Sequence, residues 1–207
     1  MNIIAKQIQR SDIVFLFNAG PLVLPEPAQL FSLYPGEAGK GSMSSDNAAM
    51  GVRIFEFPAP GLQWVFERNR VRLEDRASRT PAESQLGPEA IRAMLALYPG
   101  VAPTAHGFNY DIIYRMDNVI PVSDIMSSFV GADATEDIQS FGWQYTLSRE
   151  KGKYTETYFF KVVSPIEFAV HVNFQTNTPG LPHAKSLQTA FQHSYEAADE
   201  SLKRLSF

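Results

Sequence analysis

The chain has 207 residues, a formal net charge of −4, a sequence pI near 5.6, no cysteine, 44% hydrophobic residues and 12% aromatic residues. These figures exclude disulfides, a thiolate nucleophile and cysteine metal sites, and they argue against nucleic acid, which wants a basic footprint. They suit a packed fold rich in β-structure.

No run approaches the ~18 apolar residues of a membrane-spanning helix. The start, Met1–Ile8, lacks the basic and apolar regions of a secretory signal. A soluble cytoplasmic protein with no membrane partner is expected.

Asn2–Ile8 and Asp12–Asn18 read as two strands from their β-branched and aromatic content. Pro25 and Pro27 suit the first turn of a short helix, stopped by Tyr34, Pro35 and Gly36. The Gly/Ser-rich stretch Gly36–Asn47 predicts a mobile loop. It is no phosphate loop, because that motif would need glycine at Tyr34 and a hydroxyl at Gly41. Strands follow at Met50–Phe57, Leu62–Arg68 and Arg70–Asp75, with turns at Pro58–Gly61 and near Asn69. Arg76–Leu86 reads as a polar surface loop. Pro88 opens a helix with a stripe of Ile91, Leu95 and Tyr98, which Pro99 and Gly100 stop.

Beyond this point the period of two becomes clear. In His106–Met116, Phe108, Tyr110, Ile112, Tyr114 and Met116 take one face, while Asn109, Asp111, Ile113 and Arg115 take the other. A short helix follows at Pro121–Phe129. In Ser140–Arg149, Phe141, Trp143, Tyr145 and Leu147 oppose Gln144, Thr146 and Ser148. Lys153–Val163 carries aromatics on both faces and reads as a buried or twisted strand. Ile166, Phe168, Val170, Val172 and Phe174 oppose Glu167, Ala169, His171, Asn173 and Gln175. The last element, Pro182–Leu205, predicts an amphipathic packing helix. Its stripe is Leu187, Ala190, Phe191, Ser194, Ala198, Leu202 and Leu205, with Lys185, Gln188, Gln192, Asp199 and Lys203 on the polar side.

The same order occurs twice: strand, short helix, three strands, helix. A shift of about 96 positions lays Ile13–Phe17 and the Pro25 helix start over Tyr110–Tyr114 and the Pro121 start. The predicted fold class is α+β, with β-α-βββ-α halves over 1–103 and 104–207 packed as a single globular unit. A curved antiparallel sheet would carry its helices on one face, the halves related by a pseudo-twofold axis. This element order resembles the fold of the TATA-binding protein, which implies an open, internally duplicated sheet. A helix-grip fold is the alternative, and the helix at Pro88–Tyr98 interrupts the strand series it requires.

No catalytic spacing emerges. His106, His171, His183 and His193 form no H-x-x-x-H or H-E-x-x-H pair. A G-x-S-x-G elbow and a G-x-G-x-x-G fingerprint after a strand are both missing from the sequence. His106 reads as a partly buried core histidine, and Glu74 and Asp75 as solvated carboxylates. Arg68, Arg70 and Arg72 are offset by Glu67, Glu74 and Asp75, which favours a salt-paired surface over a nucleic-acid site.

The leading expectation is a non-catalytic binding protein. Its recognition surface is the wet sheet face, including Asn109, Asp111, Arg115, Gln144, Glu167, His171 and Asn173, and its partner is another protein or a second copy. One alternative is a carrier for a small apolar ligand in a cavity lined by Trp143, Tyr145, Tyr158 and Phe160. Another is an enzyme centred on His171 and Glu167. No cofactor and no metal are expected.

Overall fold

In the computed structural model, residues 2–18, 22–37, 39–47, 49–130 and 142–203 are described. The element order is β1 (Ile3–Leu16), α1 (Pro27–Ser32), β2 (Met43–Asn47), β3 (Val52–Phe57), β4 (Leu62–Glu67), β5 (Arg70–Asp75) and α2 (Leu86–Leu97). It continues with β6 (Ala105–Met116), α3 (Val122–Val130), β7 (Gly142–Arg149), β8 (Tyr154–Ser164), β9 (Glu167–Thr176) and α4 (Ala184–Lys203). Phe141 and Leu205 lie outside the described residues.

Among the described residues the fold is α+β: a curved, nine-stranded antiparallel sheet with four α-helices. Its order is β2-β3-β4-β5-β1-β6-β9-β8-β7. The long strands β1 and β6 lie side by side at the centre, paired from Ile3 opposite Met116 to Leu16 opposite Ala105 with register shifts between Ile3 and Ala5 and between Ile8 and Arg10.

Three expectations change. The two N-terminal strands are a single strand, because a bulge between Ile8 and Arg10 lets the chain pass Ser11 without leaving the sheet. Part of the expected mobile loop is β2, whose Met43–Asn47 backbone pairs with β3 despite its polar composition. Four strands therefore follow α1, where three were expected. The strand at β8 keeps strict alternation, with Tyr158 and Phe160 buried and Phe159, Lys161 and Val163 turned outward.

One sheet face is apolar and lies under the helices. A single cross-strand row shows why: Phe55, Trp64, Leu73, Ile13, Phe108 and Phe174 stand opposite one another from β3 to β9. Phe31 of α1 meets Phe55 and Phe57 edge-on. Residues Val122 and Ile125 of α3 join the same core.

Helix α4 seats Phe191 against Phe108 and Tyr110, and the Tyr110 hydroxyl donates to the Phe191 carbonyl at 2.6 Å. Its Leu187, Phe191 and Ala198 are buried, as the stripe predicts. Asp199 and Gln188, both placed on the polar side by sequence, make tertiary contacts. Asp199 accepts from Lys6 Nζ at 2.6 Å and from the Tyr114 hydroxyl at 2.7 Å. Gln188 joins α4 to α2, accepting from the Gly87 amide at 2.9 Å and donating to the Pro81 carbonyl at 2.7 Å. On α2 the buried residues include Leu86, Ala90, Ile91 and Met94, whereas Leu95 is 59% exposed. No helix among the described residues is long and apolar enough to cross a membrane.

Candidate functional site

The sheet face away from the helices carries a polar ladder. Glu56, Gln63, Glu74, Asp12, Asn109, Asn173, Thr157 and Thr146 stand opposite one another in one cross-strand row, one residue from each strand from β3 to β7. Each strand contributes because side chains alternate and the antiparallel register brings like faces together.

Four neighbouring pairs in the row are hydrogen-bonded. Gln63 Nε2 donates to Glu56 Oε1 at 2.6 Å. Asn109 Nδ2 donates to Asp12 Oδ1 at 2.6 Å, and Asn173 Nδ2 donates to Asn109 Oδ1 at 2.7 Å. Thr146 and Thr157 meet hydroxyl to hydroxyl at 3.1 Å.

Arginines close the acidic centre of this row. Arg76 Nε donates to Glu74 Oε2 at 3.1 Å and its Nη2 to Gln63 Oε1 at 2.6 Å. Arg72 Nε forms an ion pair with Glu74 Oε1 at 2.9 Å, without hydrogen-bond alignment. Arg10 reaches Asp111 at 2.8 Å and also stands 3.7 Å from Glu74 and 3.9 Å from Asp12. Beneath them Asp12 and Glu74 have no exposed surface.

The solvated reading of Glu74 and Asp75 is therefore corrected. Glu74 is roofed by arginine side chains, and Asp75 is buried and paired with Arg79 at 2.7 Å. Asp12 Oδ2 has no hydrogen-bond partner among the described residues. Burial pushes its carboxyl up to about 6, against the pull of the Asn109 hydrogen bond and the Arg10 and Arg72 charges.

A second row runs alongside the first: Arg10, Asp111, His171, Phe159 and Gln144. His171 Nδ1 lies 2.6 Å from Asp111 Oδ1. Burial raises the Asp111 carboxyl, but the His171 and Arg10 contacts outweigh it and hold the group below its ordinary range.

The sequence-predicted residues thus share one face but not one cluster. Asn109 and Asn173 belong to the ladder, while Asp111, His171 and Gln144 belong to the second row. Arg115 and Glu167 form a separate pair at 2.9 Å, with Ser164 donating to Glu167 at 3.2 Å. His171 has Asp111 as its carboxylate partner, and Glu167 is engaged elsewhere. Trp143, Tyr145, Tyr158 and Phe160 lie on the helix side, where Trp143 stacks on Phe160 and Tyr145 on Tyr158. His106 is buried, and burial lowers its pKa.

Sequence reading missed Arg10, Asp12, Gln63, Glu74 and Arg76. The available signal was the alternation of Asp12 with Ser11 and Ile13. Two shallow depressions also lie on this face. One, of about 390 Å³, is lined by Gln9, Arg10, Arg76 and Asp111, and the other, of about 210 Å³, lies over β6, β9 and β8.

Among the described residues, no group of three or more histidines or carboxylates is placed to hold a metal ion. No protein-family model matches the chain, and no curated protein matches it.

Proposed function

We propose that this chain is a non-catalytic binding protein that recognises another protein, or a second copy of itself, through the polar sheet face. The observation that carries this reading is the polar row on the side the helices leave open, where Asn109, Asn173, Thr157 and Thr146 reach the surface and Arg10 and Arg76 close over the buried carboxylates. Mixed polar surfaces of this kind bind through hydrogen bonds and complementary charge, with a few buried anchors supplying most of the energy. The Asp111–His171 contact is read here as a positioned polar pair rather than an acid–base couple. Its neighbours Arg10 and Phe159 belong to a recognition surface.

The fold is read as two halves, 1–103 and 104–207, packed as one unit about a pseudo-twofold axis between β1 and β6, like the TATA-binding protein. Supporting this, the order outward from the centre is β5, β4, β3 on one side and β9, β8, β7 on the other. Strand β2 is then an addition to the first half. A cytoplasmic location belongs to the same proposal.

The double variant Arg115→Ala, His171→Ala tests the surface. Both residues are accessible, so their removal should leave the melting temperature unchanged while abolishing association, measured as mass by sedimentation equilibrium. Unchanged association, or unfolding of the variant, overturns the reading.

A further inference from the structure

The smaller depression arises from a gap in side-chain size. The open-face row beside His171 is Ile113, Ala169, Lys161 and Gly142, opposite one another on β6, β9, β8 and β7. Ala169 supplies only a methyl floor. Gly142 supplies nothing, and the Phe159 ring leans over it, since a Cβ at Gly142 would lie 3.4 Å from Phe159 Cζ. Phe159 is 41% exposed, an aromatic ring held open beside the polar ladder.

The rim is cationic in balance. Asp111 is offset by Arg10, and Glu167 by Arg115. Lys161 lines the depression and has no ion-pair partner among the described residues. His171 stands beside it, oriented through Nδ1 by Asp111. The volume of about 210 Å³ falls below the ~300–1,000 Å³ of small-molecule pockets. It suits a single side chain.

We propose that this depression anchors a partner polypeptide, taking one aromatic or large aliphatic side chain flanked by a carboxylate that reaches Lys161. The apolar group packs between Phe159, Ile113 and Ala169, and the acid answers Lys161, which has no ion-pair partner among the described residues. This inference rests on the proposed recognition role of the face and assigns the chemistry of the partner.

The test is an NMR titration of the full chain with three capped tripeptides: glutamate-phenylalanine-glutamate, glutamine-phenylalanine-glutamine and glutamate-alanine-glutamate. The first should shift the His171 ring resonances and bind roughly two- to fivefold tighter than the second, the range for an exposed ion pair. The third should not shift them. Lys161→Gln should equalise the first two peptides, and Ala169→Leu, which fills the floor, should abolish the shifts. Equal responses to all three peptides, shifts confined to other parts of the chain, or none at all would overturn the proposal. If the peptides fail while Arg115→Ala, His171→Ala still abolishes association, the anchor alone is wrong.

Discussion

Asp12 is a carboxylate on an open sheet face with no exposed surface, and this makes it a reporter of pH. Its folded pKa, about 6, lies above the ordinary value of 3.8. The folded state therefore holds the proton more tightly than the unfolded chain. The stability from that proton is fully present below the ordinary value and is lost as pH rises through the folded pKa. The difference is worth about 3 kcal/mol. Asp12→Asn keeps an acceptor for Asn109 and removes the titration. Urea unfolding of parent and variant should show the variant gaining by about 3 kcal/mol relative to the parent between about pH 3 and pH 7. Parallel pH profiles would show that Asp12 does not titrate in this range. Asn109 and Asn173 were legible as open-face residues because alternation alone assigns the face. The surroundings of Asp12 were not, because they depend on Arg10, Arg72 and Asn109 converging from positions that only the folded register brings together.

At the scale of elements, the contact between α2 and α4 turns on one glycine. A Cβ at Gly87 would stand 2.8 Å from the Gln188 amide nitrogen and 2.9 Å from its Cα. Those are backbone atoms, so the helices themselves would have to separate. Gly87→Ala should then lower stability by ~1–3 kcal/mol, the cost of overpacking, although alanine is the better helix former. Chemical denaturation measures this directly, and a stabilised variant would show that the crossing yields. Helix α4 was legible because its apolar stripe spans five turns. The Leu95 assignment failed because three- and four-residue spacing fits more than one stripe on α2, and the approach of α4 at Gly87 selects the one bearing Ala90 and Met94. Strand β2 was hidden for another reason. Serine, aspartate and asparagine signal a loop, and only pairing with β3 makes that segment extended.

Across the whole molecule, one hydrophobic core runs from Phe55 and Phe57 through Ile13 and Tyr110 to Tyr158 and Phe160. Neither half encloses it alone, since β1 and β6 are each other's neighbours at the centre. A single cooperative transition is expected by calorimetry, with van't Hoff and calorimetric enthalpies equal. Two resolved transitions would mean that the halves are separate domains. The α+β class and the antiparallel sheet were readable, because strand and helix periods are local signals. The ladder was not readable, because cross-strand register is set by the folded sheet.

The central position of β1 has a consequence for the order in which the chain is made. Ser11 meets Asp75, and Ile3 meets Met116. On a ribosome adding ~5–20 residues per second, β1 waits several seconds with one or both hydrogen-bonding edges unfilled. Its interior edge is completed only when the second half emerges. The nascent first half is then the form of this protein most exposed to strand capture by other chains and most in need of a chaperone.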